Sequence, residues 1–363
     1  MSSAESVVSR VRRAVLTGDG VDGAIASEVR RENERSLRDP VAHEVSESEV
    51  SQRIRGFGPL QPLLDDPSIE EIWINEPGAV FVARSGRHER IATDLTVDEL
   101  RTLVERMLRH SGRRIDISQP FVDASLPDGS RLHVVIPPIT REHWSINIRK
   151  FSRSVRTLDD LVARSAVTAE AGQLLSDSVR RGHTVLVSGA TQAGKTTMVC
   201  ALLDELESAE RIVTVEETFE IASTQLDVVG MQCRGASLDG VGEVTLRRLV
   251  KEALRMRPTR LVVGEVRGDE ALDLLVALNS GIPGLCTIHA NSAGDAVRKL
   301  VTLCQLAGGV SEIFVASTIV ATIDLVVHCH MNSDGQRRVV EISRPASISP
   351  AADIEMESLW VLT

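Results

Sequence analysis

Aromatic side chains make up 2% of the 363 residues, with Trp 3, Phe 6 and Tyr 0, so a surface that stacks bases or sugar rings has almost nothing to stack with. Positive charge is also short. The 41 Lys and Arg stand against 51 Asp and Glu, a net charge of −10, which removes the long-range attraction on which nucleic-acid binding rests and leaves room only for a local basic strip. The five cysteines, Cys200, Cys233, Cys286, Cys304 and Cys329, are scattered without a C-x-x-C pair. Neither a disulfide framework nor a zinc ribbon is indicated, and a reducing cytoplasm fits. The stretch MSSAESVVSRVRRAVLTGDG lacks the apolar run of a signal peptide, and Ile313 to Ile323 falls short of the ~20 residues that cross a bilayer. Lysine is rare too, at 4 against 37 Arg, so each lysine draws attention.

What remains is ordinary: 42% apolar and 25% charged residues, the balance of a globular chain with two or three domains. Residues 1–50 are polar and mixed in charge, with EVRRENERSLRD from Glu28 to Asp39, and read as a solvated helical arm rather than a core. From Ile54, Gly and Pro punctuate GFGPLQPLL; EEIWIN and AVFVAR then alternate as half-buried strands do, around the turn NEPG. TVDELRTLVERMLRHSG sets Leu100, Leu103, Val104, Met107 and Leu108 on one helical stripe stopped by Gly112, and SRLHVVIPP and SINIRKF return to strand texture. Residues 51–150 are expected as an α+β domain, 151–170 as a linker, 171–343 as a second domain and 344–363 as a tail without assigned role.

From Thr184 the runs VLVSG, IVTVEE, LVVGEV and CTIHA, spaced by helical periodicity, have the texture of parallel strands buried on both faces. Open α/β sheets bind ligands past the carboxyl ends of their strands, and these ends carry Gly189, Glu216, Glu217, Glu265 and His289. GATQAGKT, residues 189–196, fits G-x-x-x-x-G-K-[ST] between such a strand and the helix TMVCALLDEL, a match expected by chance in about one such chain in a hundred. Gly189, Ala190, Thr191, Gln192, Ala193, Gly194, Lys195, Thr196 and Thr197 form a loop whose backbone N–H groups surround phosphates. Lys195 adds a compact charge there and Thr196 a Mg2+ ligand.

Glu265 is a carboxylate placed to polarise a water beside the γ-phosphate of ATP, although most phosphate-loop enzymes have Asp where this chain has Gly264. Glu216 and Glu217 are a second acidic pair, for Mg2+ or the attacking water, or simply solvating a strand end. His289 is either a γ-phosphate contact or a structural histidine. His328 and His330 alternate along a strand with no other ligand type nearby. Arg131 and Arg149 lie on strands outside the nucleotide domain, as surface residues or as cations that meet phosphate when domains close.

Taken in order, GFGPLQPLLDDPSIEEIWIN, VDASLPDGSRLHVVIPP, INIRKF, GATQAGKT, RIVTVEETFEI, LRRLVKEALRMRPTRLVVGEVRG and GLCTIHANS resemble the type II/IV secretion and pilus-assembly ATPases. The likeness runs from about residue 54 to 343 and is strongest to the tight-adherence (Flp) pilus branch, with the conjugation ATPases nearby. It implies an α/β fold: a small α+β N-terminal domain on a flexible linker, then a RecA-like P-loop ATPase domain with a mostly parallel sheet, six copies forming a ring. It also implies Lys195 and Thr196 on phosphate and Mg2+, Glu216 and Glu217 in an acidic box, Glu265 as catalytic carboxylate and His289 in a His box. N-terminal-domain arginines, carried onto Arg131 and Arg149, would face the γ-phosphate. Three features depart from the pattern: Glu217 and Thr259 each replace a common Asp, and the four-cysteine zinc module of the type II relatives is absent.

The implied protein is an ATP-hydrolysing homo-hexameric motor for pilus assembly or protein secretion. It would be peripheral on the cytoplasmic face of the membrane, working on integral membrane platform proteins, with no direct nucleic-acid contact. A conjugation-type or nucleic-acid-translocating ATPase, and a nucleotide-binding regulator without turnover, are the competing readings.

Overall fold

The structure is a computed structural model and describes residues 3–16, 20–36, 45–47, 50–51, 56–84, 87–111, 113–150, 157–235, 241–350 and 353–362. Ile54, the helix stop Gly112, the end of the charged run at Asp39 and the first six residues of the expected linker lie outside the described residues. The chain divides into two compact units, Met1–Lys150 and Phe151–Thr363.

In the first unit, α1 (Ser3–Leu16) and α2 (Val21–Ser36) correct the expectation of a coreless arm. Val7, Val8 and Val11 pack with Ala24, Ile25 and Val29, and Val45 and Val50 close the cluster. Each helix thus has one narrow apolar face at i, i+3 or i+4 spacing, which the charge around it conceals in the sequence. Arg10 holds the polar side, its Nε 2.9 Å from Glu28 and its Nη2 2.5 Å from Glu32.

After α3 (Gln61–Asp65) come β1 (Ile69–Glu76), β2 (Ala79–Arg84), β3 (Arg87–Ala92), α4 (Val97–Ser111), β4 (Phe121–Ser125), β5 (Arg131–Val135) and β6 (Ser145–Arg149). The strands pair antiparallel in the order β3-β2-β1-β6-β5-β4. Their alternation puts Ile72, Ile74, Val80, Val82, Leu132, Val134, Ile146 and Ile148 in one core with Leu100, Leu103, Val104, Met107 and Leu108 of α4. A capping box starts that helix: Glu99 N–H donates to Thr96 Oγ1 and Thr96 N–H to the Glu99 carboxylate. The strand β3 had no signal in the sequence because RHERIA is exposed almost throughout. Arg131 and Arg149 are direct cross-strand partners, and Arg131 reaches Asp123 at 3.3 Å.

The second unit opens with α5 (Leu158–Ala163) and α6 (Ala169–Arg180). Leu158, Leu161 and Val167 are buried in its core, so part of the expected linker is core. There follow β7 (Val185–Gly189), α7 (Lys195–Asp204), β8 (Arg211–Glu216), β9 (Asp227–Gln232), α8 (Leu246–Ala253), β10 (Arg260–Val266), α9 (Glu270–Leu278), β11 (Gly284–His289), α10 (Ala293–Leu306), α11 (Glu312–Thr322), β12 (Leu325–Met331), β13 (Arg337–Ile348) and β14 (Ile354–Val361).

The eight strands run β14-β13-β12-β7-β11-β10-β8-β9, parallel from β12 to β9 and antiparallel at β13 and β14. Leu186, Val213, Val263 and Cys286 face one core, with α8 to α11. Val185, Val187, Val262 and Leu285 face the other, with α5 to α7. Burial on both sides is why these strands read as unbroken apolar runs. The boundary drawn at 343 falls inside β13, and the expected tail is sheet.

Arg260, 1% exposed, ties the amino edge of this sheet together. It pairs with Glu210 at 3.1 Å and donates to the carbonyls of Val179 and His183. Arg260→Ala strands a carboxylate and two carbonyls at once. It is expected to lower unfolding free energy in urea by about 3 kcal/mol; a loss below about 0.5 kcal/mol would contradict this account.

Candidate active site

The loop after β7 is shaped by three residues in the left-handed half of backbone space: Gly189 at φ 152, Gln192 at φ 63 and Gly194 at φ 93. A Cβ on Gly189 would run into the Cys329 carbonyl of β12. Gly194 caps α7 without a side-chain hydrogen bond, and the first N–H groups of a helix, which have no acceptor within the helix, point back at the loop before it. Ala193 is buried and Thr191 exposed, with Thr196 and Thr197 half-buried in the first turn. Lys195 Nζ donates to Ala190 O at 2.8 Å, and Thr196 Oγ1 lies 3.4 Å from Glu220 Oε2.

His289 stands opposite Gly189 in the β7–β11 register, and its ring bridges two charges. Nδ1 is 3.2 Å from Lys195 Nζ and Nε2 is 2.9 Å from Glu265 Oε1. Burial and the Lys195 charge hold its pKa below the usual range against the pull of Glu265, so the ring is neutral near pH 7. An ammonium only donates, so Nδ1 accepts and the network assigns the ring proton to Nε2, facing Glu265. Lys299 Nζ fixes this strand end by donating to His289 O at 2.9 Å.

Arg267 grips Glu265 with both arms, Nε 2.7 Å from Oε1 and Nη2 2.7 Å from Oε2, while its Nη1 is 2.7 Å from Glu217 Oε2. Burial pushes the Glu265 carboxyl up, but Arg267 and the nearby Lys195 outweigh it and hold the group below the ordinary carboxylate range. Glu265 is therefore ionised. Its Oε1 is buried between Arg267 Nε, at 2.7 Å, and His289 Nε2, at 2.9 Å.

Glu216 is turned inward, 2% exposed. Its Oε2 accepts from the backbone N–H groups of Glu220 and Ile221, both at 2.8 Å, which shapes the turn that brings Glu220 to Thr196. Burial pushes its carboxyl up to about 7. Gly264 fits this packing: a Cβ there would sit 3.0 Å from Glu216 Cγ, close enough that Glu216 would have to shift by a few tenths of an ångström.

Among the expected residues, then, Lys195, His289 and Glu265 meet at one point, Glu217 joins them through Arg267, and Glu216 lies behind them as a support of the turn. Arg131 and Arg149 belong to the other unit. The sequence reading passed over Arg267 and Glu220, although Arg267 directly follows a strand end and Glu220 is four residues after Glu216.

A mostly parallel α/β sheet with a phosphate loop, a buried carboxylate and a bridging histidine at its carboxyl edge defines a P-loop ATPase. The particular class follows from comparison with known proteins. The profile of the Type II/IV secretion system protein family matches residues 53–354, and the chain belongs to that family. It is 37% identical over 303 residues to a Mycobacterium tuberculosis protein provisionally named for conjugal transfer, spanning 81% of this chain and 86% of the relative. It is 32% identical over 313 residues to the type IV secretion system protein PtlH of Bordetella pertussis, spanning 78% and 92%. Its fold is similar to that of the ATPase DotB of Legionella pneumophila, with a TM-score of 0.54 at 19% identity over 78% of each chain.

Two outcomes are expected. Between pH 4.5 and about 7 the unfolded chain releases a proton that folded Glu216 keeps, so ionisation opposes folding, not at all below that window and fully above it. Glu216→Gln removes the cost, and its stability advantage over wild type should grow from pH 4.5 to pH 8 by up to about 3 kcal/mol; a pH-independent difference would show that Glu216 is ionised in the fold. Gly264→Ala should displace Glu216 and lower ATP turnover at least about tenfold while the chain still folds by circular dichroism; full turnover would deny the close approach any role.

Proposed function

We propose that this ATPase is a motor in which Glu265 takes the proton of a water as that water attacks the γ-phosphorus of ATP, giving ADP and phosphate. The observation that carries the reading is the ionised Glu265 carboxylate, linked through His289 to Lys195 at the end of the loop 189–197. An ionised carboxylate is an acceptor for a water proton. Arg267 keeps Glu265 ionised, and neutral His289 transmits the position of Lys195 to it. The loop 189–197 holds the phosphates through its N–H groups and Lys195. The donor set fits Mg2+, a hard cation that takes a hydroxyl and a carboxylate beside phosphate; Thr196 and Glu220 would hold it, with Glu217 as a further ligand if Arg267 releases it. Bound Mg2+ supplies charge neutralisation at the β- and γ-phosphate oxygens.

In this reading residues 51–150 supply Arg131 and Arg149 to the γ-phosphate. Six copies form a ring, and the ring works on integral membrane platform proteins at the cytoplasmic face to assemble a pilus of the tight-adherence kind or to secrete protein. The similarity to PtlH, named as a type IV secretion system protein, supports this reading, and no helix among the described residues is long and apolar enough to cross a membrane. A conjugation role is the second reading, favoured by the conjugal-transfer names of relatives such as TrbB of Rhizobium radiobacter, 31% identical over 284 residues.

The test is ATP turnover by wild type, Glu265→Gln and Lys195→Ala, with mass followed by light scattering. Glu265→Gln should bind nucleotide but lose at least about a hundredfold in kcat, Lys195→Ala should lose binding, and a non-hydrolysable analogue should promote hexamers. Wild type that binds ATP without turnover, even with platform proteins present, would make the chain a nucleotide-dependent regulator instead. Single-stranded DNA binding at physiological salt would favour the conjugation reading.

A further inference from the structure

Arg337 lies 145 residues from Gln192 in the chain, yet its Nε donates to Gln192 O at 2.8 Å. The contact is built by the far side of the sheet. The strand β12 runs parallel beside β7 and ends at Met331, whose partner across the antiparallel turn is Arg337, the first residue of β13. Asn332 N–H to Gln336 O at 2.8 Å and Gly335 N–H to Asn332 O at 3.0 Å close that turn. The stem of Arg337 covers the loop as well, with Cδ 3.6 Å and Cβ 3.9 Å from where a Cβ of Gly194 would stand.

Gln192 is one of three non-glycine residues with positive φ among those described, a conformation that costs an ordinary side chain about 1–2 kcal/mol and persists only where the surroundings hold it. A trans peptide directs its carbonyl and the following N–H to opposite sides. Drawing the Gln192 carbonyl outward onto Arg337 therefore turns the Ala193 N–H inward, where it meets Ala190 O at 3.3 Å. Lys195 Nζ points at the same carbonyl. Two donors thus converge on one acceptor inside the loop, as they must to share a phosphate oxygen.

We propose that Arg337 is a positioning residue for nucleotide binding: it holds the peptide between Gln192 and Ala193 in the orientation that presents the Ala193 N–H to phosphate. This rests on the reading of residues 189–197 as the phosphate site. The role concerns the bound ground state and the transition state alike, so it governs affinity and leaves the chemical step nearly alone.

The experiment measures binding of ADP and of a non-hydrolysable ATP analogue to the full chain by calorimetry, together with steady-state ATP turnover. Arg337→Met keeps an apolar stem over Gly194 but has no donor. It should raise Kd and KM about tenfold, with kcat at saturating ATP within about twofold of wild type. Arg337→Lys, an ammonium of the kind that already serves Ala190 O, should recover at least half of that loss, and Arg337→Ala should bind no better than the Met variant. Arg338→Ala, whose guanidinium pairs with Gln336 on its own strand edge, should bind as wild type does. The inference is overturned if Arg337→Met binds within twofold of wild type, if its kcat falls while Kd stays, or if Lys recovers nothing. Lys195→Ala separates the two readings: if it retains wild-type affinity, the phosphate site itself is misassigned. If it loses binding while Arg337→Met does not, only the role of Arg337 fails.

Discussion

The second unit is organised by the tight passage of the backbone at Gly189, where the Cys329 carbonyl leaves no room for a β-carbon. That closeness requires β12 to lie directly against β7, and the opposite neighbour, β11, then sets His289 in register with Gly189. From these two neighbours the rest of the edge follows. On the β11 side, His289 reaches Lys195 and Glu265. On the β12 side, the hairpin into β13 carries Arg337 back over the loop. The loop 189–197 is thus contacted by strands that enter the sheet more than 90 positions later in the chain.

Charge at the site is arranged so that each group fixes the state of the next. The Lys195 charge, with burial, keeps His289 neutral; neutral His289 has one proton, and it faces Glu265; Arg267 keeps Glu265 ionised against its burial. One buried acid goes the other way. Among the described residues Glu216 has backbone N–H groups and a threonine hydroxyl for partners and no cation in contact, so desolvation prevails and its carboxyl rises. The same strand end thus holds an inward acid that shapes a turn and, one residue later, an outward acid in an ion pair, two environments set by the side on which each side chain emerges.

The scarcity of lysine has a structural counterpart. Lys150 donates to the carbonyls of Leu63 and Asp66, Lys195 to Ala190 O and Lys299 to His289 O, and Lys251 pairs with Asp273. Three of the four serve backbone carbonyls in confined places, where a small ammonium on a flexible stem fits and a planar fork does not. Arginine takes the positions where two or three acceptors lie in a plane, as at Arg267 and Arg260.

Much of this was determined by local sequence. The apolar runs from Val185 onward are strands because only a doubly covered parallel strand tolerates such continuity, and GATQAGKT after one of them, with Glu265 and His289, marks the carboxyl edge on which they meet. Local pattern could not supply what depends on partners far along the chain. The core of residues 1–50 is hidden because two narrow apolar faces become a core only when they meet. The strand nature of residues 344–363 depends on an edge made elsewhere, and the inward turn of Glu216 on the missing side chain of Gly264. The grip of Arg267 on Glu265 and Glu217, and of Arg337 on Gln192, are angles and distances between side chains. Those are decided by how strands are ordered in a sheet, which the succession of residues along one strand does not contain.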